Sequence, residues 1–373
     1  MHTGYTGCEV PKLGFGMMRL PMDGNEIDLA QTCRMTDAFI DAGFNYFDVA
    51  WGYLDGRCEG ILKKAVIDRY PRESVRVATK FPVWVLKEQE DVERTFRTQL
   101  ERTGAGYFDY YLLHAIGRDR LETLDKFDMW GFLKRIKKEG LAKHVGMSFH
   151  DTADVLEDIL KNHPELEFVQ LQINYIDWED EGVQSRKCYE VCRKYGRSVI
   201  IMEPVKGGTL AALPENAAKE LHALRADASV ASWALRFAAS LDGLITVLSG
   251  MSNDEQMADN IKTMRDFEPL SYKEMGAIDR VVSILRSQPS IPCTDCRYCM
   301  EDCPQHIGIS RMFGLYNRFL RYENLEGAKA DYARMTQEHP KASECLRCGA
   351  CEARCPQRIP IIANLEKIAS TLE

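Results

Sequence analysis

Between about residues 10 and 265, short runs of β-branched and aromatic residues alternate with stretches whose apolar positions recur at helical spacing, the pattern of repeated strand–helix units. The runs predict eight strands, at 12–20 (KLGFGMMRL), 45–50 (NYFDVA), 75–81 (VRVATKF), 107–114 (YFDYYLLH), 142–149 (AKHVGMSF), 168–174 (FVQLQIN), 198–204 (SVIIMEP) and 244–250 (LITVLSG). Helices are predicted between them, near 27–42, 57–69, 89–103, 121–138, 151–162, 181–195, 227–240 and 253–265. Eight such units in about 250 residues is the size of a (β/α)8 barrel of the TIM type. A doubly wound sheet would instead require G-x-G-x-x-G after the first strand, with an acidic residue about 20 positions on. The first strand carries only Gly14-Phe15-Gly16, and the motif does not complete. A further helix at 271–286 leads into SQPSIP (287–292), whose serines and two prolines predict a linker. The expected organisation is a barrel over 1–286 and a small, mainly α-helical domain over 287–373.

The pattern changes beyond the linker. Cys293-x2-Cys296-x2-Cys299-x3-Cys303-Pro is followed by Cys345-x2-Cys348-x2-Cys351-x3-Cys355-Pro. Runs of this spacing hold [4Fe-4S] clusters, and in two-cluster modules the fourth cysteine of each run ligates the other cluster. The expected cofactors are therefore two [4Fe-4S] clusters, one on Cys293, Cys296, Cys299 and Cys355, the other on Cys345, Cys348, Cys351 and Cys303. Zinc also favours paired cysteines, but the third cysteine and the Cys-Pro ending of both runs weigh against it. The 309–340 segment between the runs predicts two helices, and the module resembles the α-helical dicluster ferredoxins of succinate dehydrogenase iron-sulfur subunits. Arg297, Arg347 and Arg354 lie within the runs, where positive charge would stabilise a reduced, more anionic cluster.

Composition narrows the setting. Thirteen cysteines, eight of them in the last 81 residues, accompany an N-terminus (MHTGYTGCEVPK) without a basic segment followed by an apolar run. That combination predicts metal ligation rather than disulfides, and a reducing, cytoplasmic location. Cys8, Cys33, Cys58, Cys188 and Cys192 are expected to be packing residues. A net charge of -8 argues against a nucleic-acid binder, and no apolar stretch is long enough for a membrane span.

Active sites of such barrels lie at the C-terminal ends of the strands. Asp48 near the end of the second strand, Tyr53 in the following loop, Lys80 closing the third and His114 closing the fourth are therefore the candidate catalytic residues. A phenol with an ordinary pKa of about 10 exchanges protons poorly near neutrality. A lysine ammonium held by a carboxylate would lower that pKa, while a histidine orients a carbonyl oxygen beside the phenol.

FDVAWGY (47–53), ATK (78–80) and LLH (112–114) strongly resemble the aldo-keto reductases, over about 10–285. The resemblance implies Tyr53 as general acid, Lys80 and Asp48 as its tuners, His114 as orienter, and NADPH or NADH as hydride donor. It also points to Ser148 and Gln170 as ligands of the nicotinamide carboxamide, with Asn260 reaching the adenine. Four positions depart from the family pattern. Phe149 replaces an asparagine, Met202 replaces the aromatic that stacks on the nicotinamide, and Gly250 and Gln256 replace a lysine and an arginine that clamp the 2′-phosphate of NADP. Lys206 is the candidate cation in their place, with NADH slightly favoured.

Hydride carries two electrons together, whereas a cluster passes one. The expected function is thus an oxidoreductase acting on a small carbonyl or alcohol, with clusters linking the barrel to a ferredoxin-like partner. A flavin or a redox-active substrate is a candidate for joining the two electron counts. Alternative expectations are an electron-transfer or binding subunit on an altered barrel, or a reductase whose clusters are structural or sensory.

Overall fold

The computed structural model describes residues 11–322, 324–337 and 339–373, so Cys8 lies outside the described residues. All eight predicted strands form: β1 (Leu13–Gly16), β2 (Tyr46–Asp48), β3 (Arg76–Phe81), β4 (Phe108–Ile116), β5 (Ala142–Phe149), β6 (Phe168–Gln172), β7 (Ser198–Met202) and β8 (Leu244–Ser249). Each pairs in parallel with the next, and β8 closes on β1, so the sheet is a closed barrel rather than a doubly wound one.

Strand geometry sends alternate side chains to opposite faces. One parity buries Tyr46, Ala78, Tyr110, Leu112, Phe168, Ile200 and Leu248 in a single cluster. Two residues further along, that parity places Asp48, Lys80, His114, Gln170 and Met202 on the same strands and Ser148 on β5, where Gly146 is in register with Leu112 and Phe168. The polar layer is thus the continuation of the apolar one toward the C-terminal strand ends. Gly146 makes the close approach of β5 and β6 feasible, since a Cβ there would lie 2.4 Å from the Phe168 carbonyl oxygen.

The predicted 121–138 helix is two helices, Leu121–Lys126 and Met129–Lys138. The break falls at Asp128, whose φ is 45° and whose carboxylate accepts the Gly131 N–H at 3.1 Å. The predicted 57–69 helix starts as Cys58–Leu62 and widens into a π-helical turn over Lys63–Ile67.

The chain divides into two compact units, one of residues 1–205 and 227–275, the other of 206–226 and 276–373. The second contains helices at Glu215–His222, Tyr272–Arg286 (from Gly276 on), Ile309–Tyr322, Leu325–Met335 and Ile361–Leu372. It has a core of its own, including Ile307, Met312, Phe313, Tyr332, Leu365 and Ile368. It also repeats itself. CPQHIGI (303–309) and CPQRIPI (355–361) each place two buried isoleucines ahead of a long helix. Left-handed residues recur at matching positions of the two runs: Asp295 and Arg347, Arg297 and Gly349, His306 and Arg358.

Candidate functional site

One ammonium organises the barrel site. Lys80 Nζ donates to Asp48 Oδ1 at 2.5 Å, to the Val49 carbonyl at 3.0 Å and to the Tyr53 hydroxyl at 3.2 Å. Lys80, Asp48 and His114 are buried. Burial pushes the Asp48 carboxyl up, and the charge and hydrogen bond of Lys80 pull it back. The His114 ring meets the Tyr53 ring edge-on, with centroids 5.9 Å apart and planes at 80°. Tyr53 stands on no strand. Its turn is set by three consecutive left-handed residues, Leu54, Asp55 and Gly56, with φ of 52°, 57° and 79°. A leucine in that region costs about 1–2 kcal/mol, which the surrounding structure must over-determine.

A second set of residues holds the first, and no motif or spacing in the chain points to it. Glu59 is fully buried and accepts from Thr79 and Gln99, both at 2.8 Å. Gln99 Nε2 also donates to the Lys80 carbonyl at 3.0 Å, and its Oε1 accepts the Tyr111 hydroxyl at 2.6 Å. The backbone that carries Lys80 is thereby tied to the 90–103 helix.

Trp84 stacks at an angle on His114, with centroids 5.1 Å apart. Arg120 donates to the His114 carbonyl at 3.0 Å and lies 5.0 Å from the Trp84 ring centre. Burial, with the charges of Arg120 and Lys80, lowers His150 to about 4, so its imidazole is neutral at pH 7. Arg120 and His150 follow strand ends, the one signal that could have found them. Of the aromatic residues in these loops, Trp84 reaches His114, whereas Tyr175 and Trp178 both pack edge-on against Phe237.

Ser148 and Gln170 are register partners on β5 and β6, and both are buried. Ser148 Oγ accepts the Ala115 N–H at 2.7 Å. Gln170 Oε1 is shielded from solvent and has no hydrogen-bond partner among the described residues. A buried acceptor without a donor fits an incoming carboxamide N–H. Asn260 is buried and donates to Ser249 Oγ at 2.7 Å. Gln256 accepts the Ser252 N–H at 2.8 Å, and Met202 is half-buried at the end of β7. Lys206 belongs to the second unit, where its ammonium donates to Gln357 Oε1 at 2.6 Å. The structure therefore brings Ser148 and Gln170 together and gives Lys206 a different neighbour.

The cysteines gather across the two runs. Cys303, Cys345, Cys348 and Cys351 line one small pocket, together with Ile307, Ile309, Ile362 and Leu365. Burial pushes the Cys351 thiol up to about 11, and the nearby Cys345 and Cys303 add to the rise. Burial likewise raises Cys299 well above its ordinary value, followed by the influence of Cys296, Cys293 and Cys355. Thiols held protonated by burial, as at Cys299, Cys351 and Cys355, fit a polynuclear cation, which favours and neutralises the thiolates. Among the described residues, no three His, Cys, Asp or Glu side chains close around a single metal ion. Backbone N–H groups face the sulfurs: Asp295 N–H to Cys293 at 3.5 Å and, at the matching position, Arg347 N–H to Cys345 at 3.4 Å. Burial raises Cys355, opposed by the N–H groups of Ile359, Gln357 and Arg358. The three arginines of the runs are all paired: Arg297 with Asp295 (3.4 Å), Arg347 with Glu366 (2.6 Å) and Arg354 with Asp302 (2.6 Å). Cys58, Cys188 and Cys192 are buried, as expected of packing residues, and Cys33 is half-buried.

The aldo/keto reductase family model matches residues 12–283, which contain the whole barrel and every residue around Lys80. The chain belongs to the aldo/keto reductase family. A 4Fe-4S dicluster domain model matches residues 292–359 of this aldo/keto reductase. Glyoxal reductase of Bacillus subtilis is 26% identical over 74% of this chain and 90% of its own length. An aldo-keto reductase of Mycolicibacterium vanbaalenii is 28% identical over 75% of this chain and 91% of its own. Among solved structures, an aldo-keto reductase from Bacillus halodurans in its holo form is 26% identical, with a TM-score of 0.57 over 73% of this chain and 92% of that one. An aldo-keto reductase from Klebsiella pneumoniae in complex with NADPH, 20% identical with a TM-score of 0.59 over 73% of this chain and 91% of its own, shares the fold. No helix among the described residues is long and apolar enough to cross a membrane.

Proposed function

We propose that this chain interconverts a small carbonyl compound and its alcohol with NADPH or NADH, and that its eight tail cysteines hold two [4Fe-4S] clusters that exchange electrons with a ferredoxin-like partner. The observation that carries the barrel half is the triple contact of Lys80 with Asp48, Val49 and the Tyr53 hydroxyl. When bound, the nicotinamide supplies or accepts a hydride and the clusters pass electrons singly. Tyr53 gives its hydroxyl proton to the substrate oxygen as the carbonyl carbon becomes an alcohol carbon, and takes it back in the reverse direction. Lys80 favours the phenolate left behind, and Asp48 keeps the ammonium charged and aimed. His114, edge-on to Tyr53, orients the same substrate oxygen. Ser148 and Gln170 hold the carboxamide. With Gly250 and Gln256 where clamping cations would stand, we expect NADH to serve at least as well as NADPH.

Tyr53→Phe tests the reading. It removes the proton and leaves the buried Lys80–Asp48 pair intact, so kcat for carbonyl reduction should fall about 10²–10⁴-fold with the fold unchanged. Undiminished turnover would overturn it. Coupling to the clusters is tested separately, by adding NADH or NADPH anaerobically to the iron-loaded protein and following the cluster absorbance. Bleaching supports the coupling; carbonyl turnover without bleaching by either donor refutes it.

A further inference from the structure

Within the second unit, the two cysteine runs are near-copies, yet one feature distinguishes their surroundings. Residues 206–208 form a left-handed turn, with φ of 47°, 62° and 98°. This turn is fitted to the first run: a Cβ on Gly207 would lie 2.4 Å from the carbonyl oxygen of Thr294, the first of the two residues between Cys293 and Cys296 in that loop. Lys206 is only 4% exposed, and its ammonium rests on Gln357, whose own N–H faces the Cys355 sulfur. Thr294 and Gln357 thus bring the turn against both parts of one cysteine set, the first run and its fourth ligand from the second. The matching residue beside the other set is Gln305, to which no described lysine or arginine donates. The arginines of the runs do not supply the difference, because each faces a carboxylate.

We propose that Lys206 is a positioning residue of the iron-sulfur module, whose buried ammonium favours the reduced form of the cluster on Cys293, Cys296, Cys299 and Cys355 and leaves its twin little affected. This rests on the reading that the cysteines hold two [4Fe-4S] clusters. One-electron reduction takes a four-thiolate cluster from dianion to trianion, with no bond made or broken and no proton moved. A cation buried nearby stabilises the trianion more than the dianion, and low local dielectric lengthens its reach. The other pocket includes the exposed Cys348 and Leu346, so solvent can serve there where Lys206 serves at the first set.

The test uses the full-length chain, loaded anaerobically, with iron and sulfide assayed first. Redox titration followed by electron paramagnetic resonance then compares the native protein with Lys206→Met, Lys206→Arg and Gln357→Glu, with dithionite as the electron source. Expected is about a tenfold loss in the equilibrium constant for reducing one cluster in Lys206→Met, which is about 59 mV for a one-electron couple, with the other cluster nearly unmoved. Lys206→Arg should stay near the native value, and Gln357→Glu, which pairs the ammonium with a carboxylate, should shift the same cluster downward should Lys206→Met lose iron. Equal shifts of both clusters, or no shift in either variant, overturn the proposal. Native protein with zinc, or with iron for a single cluster, would instead refute the cluster reading beneath it.

Discussion

Lys80 balances a carboxylate that has almost no access to water, so losing the lysine alone is worse than losing the pair. Lys80→Met should destabilise the protein by about 3–5 kcal/mol, because it leaves Asp48 buried without its cation. Lys80→Met combined with Asp48→Asn should recover most of that loss in urea titrations. His150 gives a pH dependence of defined sign. Its pKa is about 4 in the fold and about 6.5 when unfolded, so the unfolded chain binds more protons between those values. Stability is then fully present above about pH 6.5 and declines by about 2–3 kcal/mol as the pH falls to 4. His150→Gln should flatten this decline in unfolding curves taken across that range. Asp48, Lys80 and His114 were legible because each is a charged or titratable residue at the end of an apolar strand. Glu59, Gln99 and Arg120 were not, since their partners are assembled only by the barrel. Lys206 shows the difference most clearly: its charge is visible in the chain, but the amide that holds it lies 151 residues away.

At the scale of elements, the strands were readable to within about two residues because alternation and apolar runs both marked them, except that the first ends at Gly16 and gives way to a 3-10 turn over Met17–Arg19 where the run continues to 20. Breaks inside helices were not. The interruption at Asp128 uses no glycine or proline, only an aspartate that tolerates a left-handed backbone and caps the next helix itself. The Glu215–His222 helix follows Pro214 and begins with a glutamate, both ordinary start signals, but its eight residues are too few for a clear period. Gly146 is the element-level constraint open to the simplest test. Gly146→Ala forces a methyl group toward the Phe168 carbonyl and should cost about 1–3 kcal/mol in unfolding measurements, since two neighbouring strands must move apart.

For the whole molecule, the two units offer separate readouts. All five tryptophans, at 51, 84, 130, 178 and 233, belong to the barrel unit. Stripping iron with a chelator should lower helical ellipticity while tryptophan emission stays native, because metal ligation supplies folding energy to the cysteine unit. Simultaneous loss of both signals would refute independent unfolding. The chain order of the units was only half legible: spacing and the Ser-Pro linker announced the cysteine module, but nothing announced that 206–226 would join it. That excursion means the polypeptide passes between the units three times, at 205/206, 226/227 and 275/276. The backbone is therefore sewn rather than hinged. A single snip in the linker cannot release the two units whole, because 206–226 and 276–286 belong to the second unit and would stay behind on the larger fragment.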